Sequence, residues 1–530
     1  MIQIAVLLLK KTGLIGVALL FSFAVTAQVE QEARYEREYK NNDPDFIIIP
    51  MGEHGLSLIQ DKDQYREGKK LWELICLNSD LKETWSLELE IEARLRLVGY
   101  DYKDELIYVL FRTSEHEASD LNLFTIQAKT QEVKRYSIKQ ELTFKVTHFE
   151  VLRRAIVLGG YVSNDPAVLI YDLDTENLKI VPGFFMTETE LLDLRINSNN
   201  TFNTLIIDRK AKDKKRLMLK TFDVTGAMLL DDIIEIDGKR SILSGITSTL
   251  KNDELLITGT WTVGTSKQAS GVYTVLADPF TDQAIKFYDF GSLEHFLEYQ
   301  SPKRTVKLKQ KSSQAKKTGL IPDFKAYASV IRMEEHTGEF ALLTEVYQPS
   351  SNFNSTPYWS GFTSPYYYGG GYSPYGYNPF MSRYYNPPYQ YNNGPSQVGE
   401  TKVLYSALLL FDLKGNLIND YGLVLEEKKA NGLEQTTDFI FDNDNIAIVY
   451  KKEKEILISQ HTPDGSTLDT LQTTLQKAGE IVRSDSENGY VRFWYQNHMY
   501  SWGYQRIKDQ EKQSEDPNRH VFYINKIRID

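Results

Sequence analysis

The sequence predicts an all-β fold built from repeated four-stranded units. Three observations support this. First, a short phrase recurs: Phe222–Leu229 reads FDVTGAML, Phe411–Ile418 reads FDLKGNLI and Tyr171–Leu178 reads YDLDTENL. Each is an apolar residue, an aspartate, a branched residue, a polar turn and a return to apolar residues, which marks a hairpin. Second, strand-like runs fill the chain from Asp45 onward. Glu105–Phe111, Arg154–Val162, Asp253–Thr262, Glu339–Tyr347 and Asn445–Lys452 are rich in β-branched and aromatic residues and bounded by turn chemistry. Third, the runs fall into groups of about four at intervals of roughly 40–50 residues, the spacing of a β-propeller blade.

The groups in order are 46–90, 92–139, 142–182, 189–236, 241–290, 326–425, 437–475 and an irregular last one, 479–530. Their middle strands, such as VLIYDL and LYSALLLFDL, are almost continuously apolar, as a strand buried on both faces must be. Outer strands such as LKETWSLEL alternate, as edge strands do. The expectation is a β-propeller over residues 46–530, most simply of seven blades with eight as the alternative. A long Tyr/Gly/Pro-rich loop is inserted in the sixth blade.

The N-terminus reads as an export signal over residues 1–27. Lys10 and Lys11 give a positive n-region, Leu14–Val25 an apolar run, and Val25-Thr26-Ala27 a small-residue cleavage site before Gln28. An uncleaved anchor starting at Ile2 is the rival, opposed by two lysines at mid-membrane. No cysteine follows the apolar run, which argues against lipid attachment, and no later stretch is long and apolar enough to span a bilayer. The expected location is the periplasm or cell surface. Residues 28–45 form a charged segment whose i,i+4 pairs (Glu30/Arg34, Arg34/Glu38) fit a short helix or a frayed tail.

Lys and Arg total 61 and Asp and Glu 72, a net charge of −11. That balance argues against nucleic acid as a partner. The single cysteine, Cys76, lies in an apolar stretch and reads as a small buried hydrophobe, so core burial must hold the chain together without a disulfide.

The recurring hairpin resembles the outer hairpin of β-propeller repeats, loosely in the style of quinoprotein-like and YVTN-like blades. The terminal tryptophan of quinoprotein repeats is missing from most copies, so quinone binding is not implied. Repeated WD dipeptides and kelch double glycines are absent, and His461–Leu468 only approaches a sialidase-type aspartate box. Competing folds are paired β-sandwiches or a stack of small β-domains. The recurring Asp172, Asp223 and Asp412 are expected to accept hydrogen bonds from backbone N–H groups of the turns they enter. Gly226 and Gly415 would supply positive φ. A ring of calcium-binding carboxylates is the alternative, and calcium is the only cofactor the sequence suggests.

Two segments depart from the repeat. Pro302–Leu320 holds Lys303, Arg304, Lys307, Lys309, Lys311, Lys316 and Lys317 and no acidic residue. It reads either as a solvated insertion extended by its own charge or as an arm for an anionic membrane surface. Pro349–Gly399 holds Tyr358, Trp359, Tyr366, Tyr367, Tyr368, Tyr372, Tyr375, Tyr377, Tyr384, Tyr385, Tyr389 and Tyr391, with Arg383 its only charge. It has too few aliphatic residues for a core of its own. Its amphipathic rings suit docking on a protein or stacking on a glycan; a space-filling low-complexity loop is the alternative.

Local catalytic and metal signatures are absent: no H-E-x-x-H, no G-x-S-x-G, no phosphate loop, and eight scattered histidines. Asp442–Asn445 reads as a turn rather than a calcium loop. No catalytic, cofactor or metal residue is assigned. The expected function is an exported, non-enzymatic binding or scaffold protein of a bacterial-type envelope, contacting a protein or glycan through the tyrosine-rich loop. The alternatives are a hydrolase or lyase acting on a glycan or lactone at the axial channel, and a peripheral protein held by the basic arm.

Overall fold

The computed structural model describes residues 29–530 apart from 41–42, 114–118, 164, 185, 209–214, 252–253, 267, 279–282, 350–399, 432–434, 443–444, 464, 486–488 and 511–517. The signal reading over residues 1–27 and every tyrosine from Tyr358 to Tyr391, with Trp359 and Arg383, lie outside these residues.

Eight antiparallel sheets form eight blades. Blade 1 consists of Ile47–Pro50, Leu56–Arg66, Lys69–Leu77 and Glu83–Glu92, and blade 2 of Arg96–Lys103, Leu106–Arg112, Leu121–Gln127 and Val133–Ile138. Blade 3 is Phe144–Leu152, Ala155–Val162, Asp165–Asp172 and Leu178–Ile180; blade 4 is Thr189–Ile196, Phe202–Asp208, Arg216–Phe222 and Met228–Glu235. In blade 5 the first strand is split into Arg240–Ile242 and Ile246–Thr247, followed by Leu255–Val263, Gly271–Ala277 and Lys286–Asp289. Blade 6 is Tyr327–His336, Glu339–Pro349, Glu400–Asp412 and Leu417–Asn431, and blade 7 is Thr437–Asp442, Asn445–Lys452, Glu455–Thr462 and Gly465–Gln472.

The eighth blade corrects the expectation of seven. Its first strand is split into Glu480–Asp485 and Tyr490–Tyr495, and His498–Asp509 and Asn518–Ile529 follow. The outer strand comes from the other end of the chain: Val29–Glu38 pairs antiparallel with Asn518–Ile529, from Val29 opposite Ile529 to Glu38 opposite Val521. The last sequence group is irregular because its fourth strand lies more than 400 residues away. The same pairing overturns the helix-or-tail reading of this segment. Its charges are matched across strands: Glu32 meets Lys526 at 2.9 Å and Arg528 at 3.2 Å, and Glu36 meets Arg519. Arg34, 9% exposed, stacks on the Tyr523 ring at 4.2 Å and donates to Asn525 Oδ1 and Gln505 Oε1.

The core is a set of eight hydrophobic layers, one between each neighbouring pair of blades. The closing layer joins Phe46, Ile48 and Leu58 of blade 1 to Trp494 and Phe522 of blade 8, with Tyr35 from the N-terminal strand. First strands touch in turn around the ring, so they surround the axis.

The hairpin phrase behaves as its chemistry demands. Asp223 Oδ1 accepts from Thr225 N (2.8 Å) and Ala227 N (2.9 Å), and Asp412 Oδ1 from Lys414 N (2.9 Å) and Asn416 N (2.7 Å). Asp172 Oδ1 accepts from Asp174 N and Thr175 N. Gly226 and Gly415 sit at φ +79° and +71°. Asp442 pairs with Asn445 across a hairpin, in keeping with the turn reading there.

The basic segment is helical, not extended. Pro302–Thr318 forms the α-helix α1, with Pro302 in its first turn and Gly319 closing it in the left-handed conformation. Lys, Arg, Gln and Ala are good helix formers. Spread over 17 residues, the cations point in several directions, and Leu308, Ser312 and Ala315 give the helix a face to pack.

Candidate functional site

The first strands carry a shared irregularity. In blades 2, 3, 4, 6 and 8 the register slips by one residue part-way along: between Leu97 and Gly99, Val146 and His148, Leu191 and Asp193, Val330 and Arg332, and Val482 and Ser484. Such bulges re-aim the side chains that follow. In three of these blades the next residue is ionisable: His148, Asp193 and Arg332.

Two of those side chains, Asp193 and Arg332, join one blade to the next. Asp193 of blade 4 accepts from Thr247 N at 2.7 Å and Thr247 Oγ1 at 3.0 Å in blade 5, with Arg195 Nε at 3.5 Å. Arg332 of blade 6 donates to Asp438 of blade 7 at 2.6 Å, and the other Asp438 oxygen accepts from Phe493 N of blade 8 at 2.9 Å. Glu345 of blade 6 accepts from Thr436 N, Thr437 N and Thr437 Oγ1 at 2.7–2.8 Å at the entrance to blade 7. All of these carboxylates are buried. Burial raises the pKa of Asp193 and of Glu345, and the hydrogen bonds from blades 5 and 7 oppose it.

One carboxyl is different. Glu150 of blade 3 is 1% exposed, and its Oε1 has no hydrogen-bond partner among the described residues. Burial pushes its pKa well above the carboxylate range; the charges of Asp101 and Asp193 push the same way, and Arg195 and Lys103 oppose them. Burial therefore favours its protonated form. The neighbouring His148 is also kept neutral, its pKa lowered to about 3 by burial. Blades 2, 3 and 4 thus bring an acid, two carboxylates and a guanidinium together near the axis. This is the kind of constellation found at catalytic centres. Here it is sealed, because Asp101, Glu150, Asp193 and Arg195 are all buried. No group of three His, Cys, Asp or Glu among the described residues is placed to hold a metal ion.

The second unusual region is on a loop face. In each antiparallel blade, the turn between second and third strands opens on the same face as the passage to the next blade. α1 lies in the passage from blade 5 to blade 6, and residues 350–399 lie between the second and third strands of blade 6. Both departures from the repeat therefore leave the ring on one face, at adjoining blades.

That region is rigidly built. Asp420, on the outer strand of blade 6, accepts from the backbone N–H groups of Glu294, His295 and Phe296 at 2.7–3.1 Å. Tyr405 donates to His295 O at 2.6 Å, and Phe290 stacks on Phe296 with ring centres 4.0 Å apart. α1 packs on this connection: Thr305 Oγ1 donates to Leu297 O and Lys309 Nζ to Glu294 O, while Lys311 bonds Asp323 O and lies over Phe324. At Gly291 an added Cβ would meet Phe324 at 2.6 Å and Ser312 of α1 at 2.8 Å, so the helix sits directly on this backbone.

Sequence reasoning named α1's cations and the tyrosine-rich residues. It did not find Asp193, Glu345, Asp438 or Glu150. For Asp193, as for Arg332, the available signal was a charged side chain inside an otherwise apolar first strand, two residues past a Leu or Val; Glu345, on a second strand, and Asp438 and Glu150, which follow Thr436 and His148, do not carry it.

No family model matches the chain, and no curated protein matches it. Among solved structures it is similar to polysaccharide lyase Uly1, with 9% identity, a TM-score of 0.39, and 94% of this chain and 100% of that one covered. It is also similar to the β-propeller domain of the Trilobed protease from Pyrococcus furiosus, with 9% identity, a TM-score of 0.34, and 80% and 98% covered. A structure from a study of two prolyl endopeptidases matches at 7% identity and a TM-score of 0.39, over 89% of this chain and 54% of that one. The eight sheets make the chain a β-propeller repeat protein.

Proposed function

We propose that the mature chain is an exported binding or scaffold propeller, with a protein or glycan partner contacted through the tyrosine-rich residues 350–399. The observation that carries this reading is how the axial charges are used. Asp193, Arg332, Glu345 and Asp438 are buried and spent on blade-to-blade bonds. The segments free to differ from the repeat leave on one face, from a support fixed by Asp420 and Tyr405. A rigid ring that presents an aromatic, nearly uncharged segment suits recognition.

The test compares the intact chain with one in which residues 350–399 are replaced by a short turn, using envelope-fraction pull-downs and a glycan array. Loss of the captured partner on deletion is expected; equal recovery by both chains would remove the reading.

A hydrolase or lyase acting at the axis is the second reading, and the convergence of Glu150 with Asp101 and Asp193 supports it. It requires blades 2 to 4 to open for substrate. Turnover of a glycan or lactone by the intact chain, abolished in E150Q, would favour it over the first.

A further inference from the structure

We propose that the outward face of α1 is a contact site for an anionic lipid surface. This goes beyond the recognition reading and rests on different residues. The seven cations of α1 divide into two sets once the helix is docked. Lys309 and Lys311 turn back to bond Glu294 O and Asp323 O, and Lys316 lies 4.0 Å from Asp289. These three hold the helix to the ring.

Lys303, Arg304, Lys307 and Lys317 make no hydrogen bond or ion pair with a described residue, and all four are exposed. Helical periodicity places Lys303, Lys307, Gln310, Gln314 and Lys317 in one row, opposite the buried Ser312 and Ala315. From Lys303 to Lys317 the row runs along about 21 Å of the helix.

Charge selects the occupant. The helix has no acidic residue, whereas the whole chain has a net charge of −11, so the rest of the molecule is more acidic still. An anionic surface repels that body and attracts this row, which fixes one orientation. Two apolar side chains accompany the row and are left in water: Val306 at 56% exposure, and Leu320 just beyond the helix at 68%. A lipid headgroup layer accepts such side chains next to lysines. An acidic peptide is the competing occupant, and the experiment separates it.

The purified chain 28–530 is sedimented with vesicles of phosphatidylcholine, alone or with about 30% phosphatidylglycerol, at about 50 mM and about 500 mM salt. Binding to the anionic vesicles alone, lost at high salt, is expected. The variant K303E/K307E/K317E should bind about a hundredfold more weakly. The surface control K129E/K134E/K239E should bind close to wild type, and a chain lacking residues 350–399 should bind as wild type does. Equal binding to both vesicle types, wild-type binding by the α1 variant, or loss of binding on deleting 350–399 would overturn the proposal. So would capture on immobilised polyglutamate without vesicle binding. The salt comparison on the unaltered protein keeps the test decisive if the α1 variant does not fold.

Discussion

Asp223 and Asp412 show how much a single residue can determine here. Each carboxylate takes two backbone N–H groups of the turn it enters, so the phrase in which it recurs is a structural device. At Asp223 the Thr225 hydroxyl holds the carboxyl below its usual range. At Asp412 burial pushes the other way, but Asn416 and Lys414 outweigh it. A carboxyl with a lowered pKa stabilises the fold above its unfolded-state value, and the contribution is lost as pH falls through the native one. D223A and D412A should each cost about 1 kcal/mol at neutral pH. The difference from wild type should shrink below about pH 4, as read by urea denaturation across pH.

Glu150 has the opposite sign. Its native pKa lies well above its unfolded value, so the native state holds the extra proton and stability declines as pH rises through and above the carboxylate range. E150Q should melt above wild type at pH about 8, and the two should converge near pH about 4. Scanning calorimetry at the two pH values checks this. At the inter-blade bond, D438A leaves Arg332 buried without its carboxylate and should cost about 3–5 kcal/mol. R332M/D438L should recover much of that by chemical denaturation; a double variant no better than D438A would show that the Phe493 N–H, not the guanidinium, dominates.

At the scale of elements, the N-terminal strand and α1 are the two segments whose conformation the chain does not advertise. Val29–Glu38 has charges at helical spacing, yet it is a strand, because the exposed edge of Asn518–Ile529 offers it a full ladder and matching cations. Local pairs on an isolated helix are worth only ~0.2–0.5 kcal/mol each, and a ladder outweighs them. A chain starting at residue 40 should lose this ladder and expose the edge. It is expected to melt earlier and to self-associate in size-exclusion chromatography. α1 depends on a close approach: G291V should push Ser312 and Phe324 away and raise hydrogen exchange across residues 302–318, with the blade amides unchanged.

For the whole molecule, stability is spread over eight hydrophobic layers of similar construction. The insertion 350–399 hangs on a ladder that ends at Pro349 opposite Thr401. Replacing it with a turn of about four residues lowers the loop-closure entropy cost and keeps all four strands of blade 6, so the shortened chain is expected to melt at or above the wild-type temperature. A large drop in Tm would mean that the insertion packs on the ring. In this acidic protein the basic helix α1 lies in the passage from blade 5 to blade 6, whereas the carboxylates that join the blades, Asp193, Glu345 and Asp438, lie on strands of the ring.

By itself the sequence determined the all-β repeat, the blade boundaries and the hairpin aspartates, because each depends on residues within a few positions of one another. Periodicity, turn chemistry and capping are local and leave a local trace. Only the tertiary structure decided that the ring has eight blades and that Val29–Glu38 completes the last. It also decided that the cations of α1 lie along a docked helix, and that Asp193, Arg332 and Asp438 bind neighbouring blades. These depend on contacts between residues tens to hundreds of positions apart, and a charge in a strand carries no mark of the partner that will meet it.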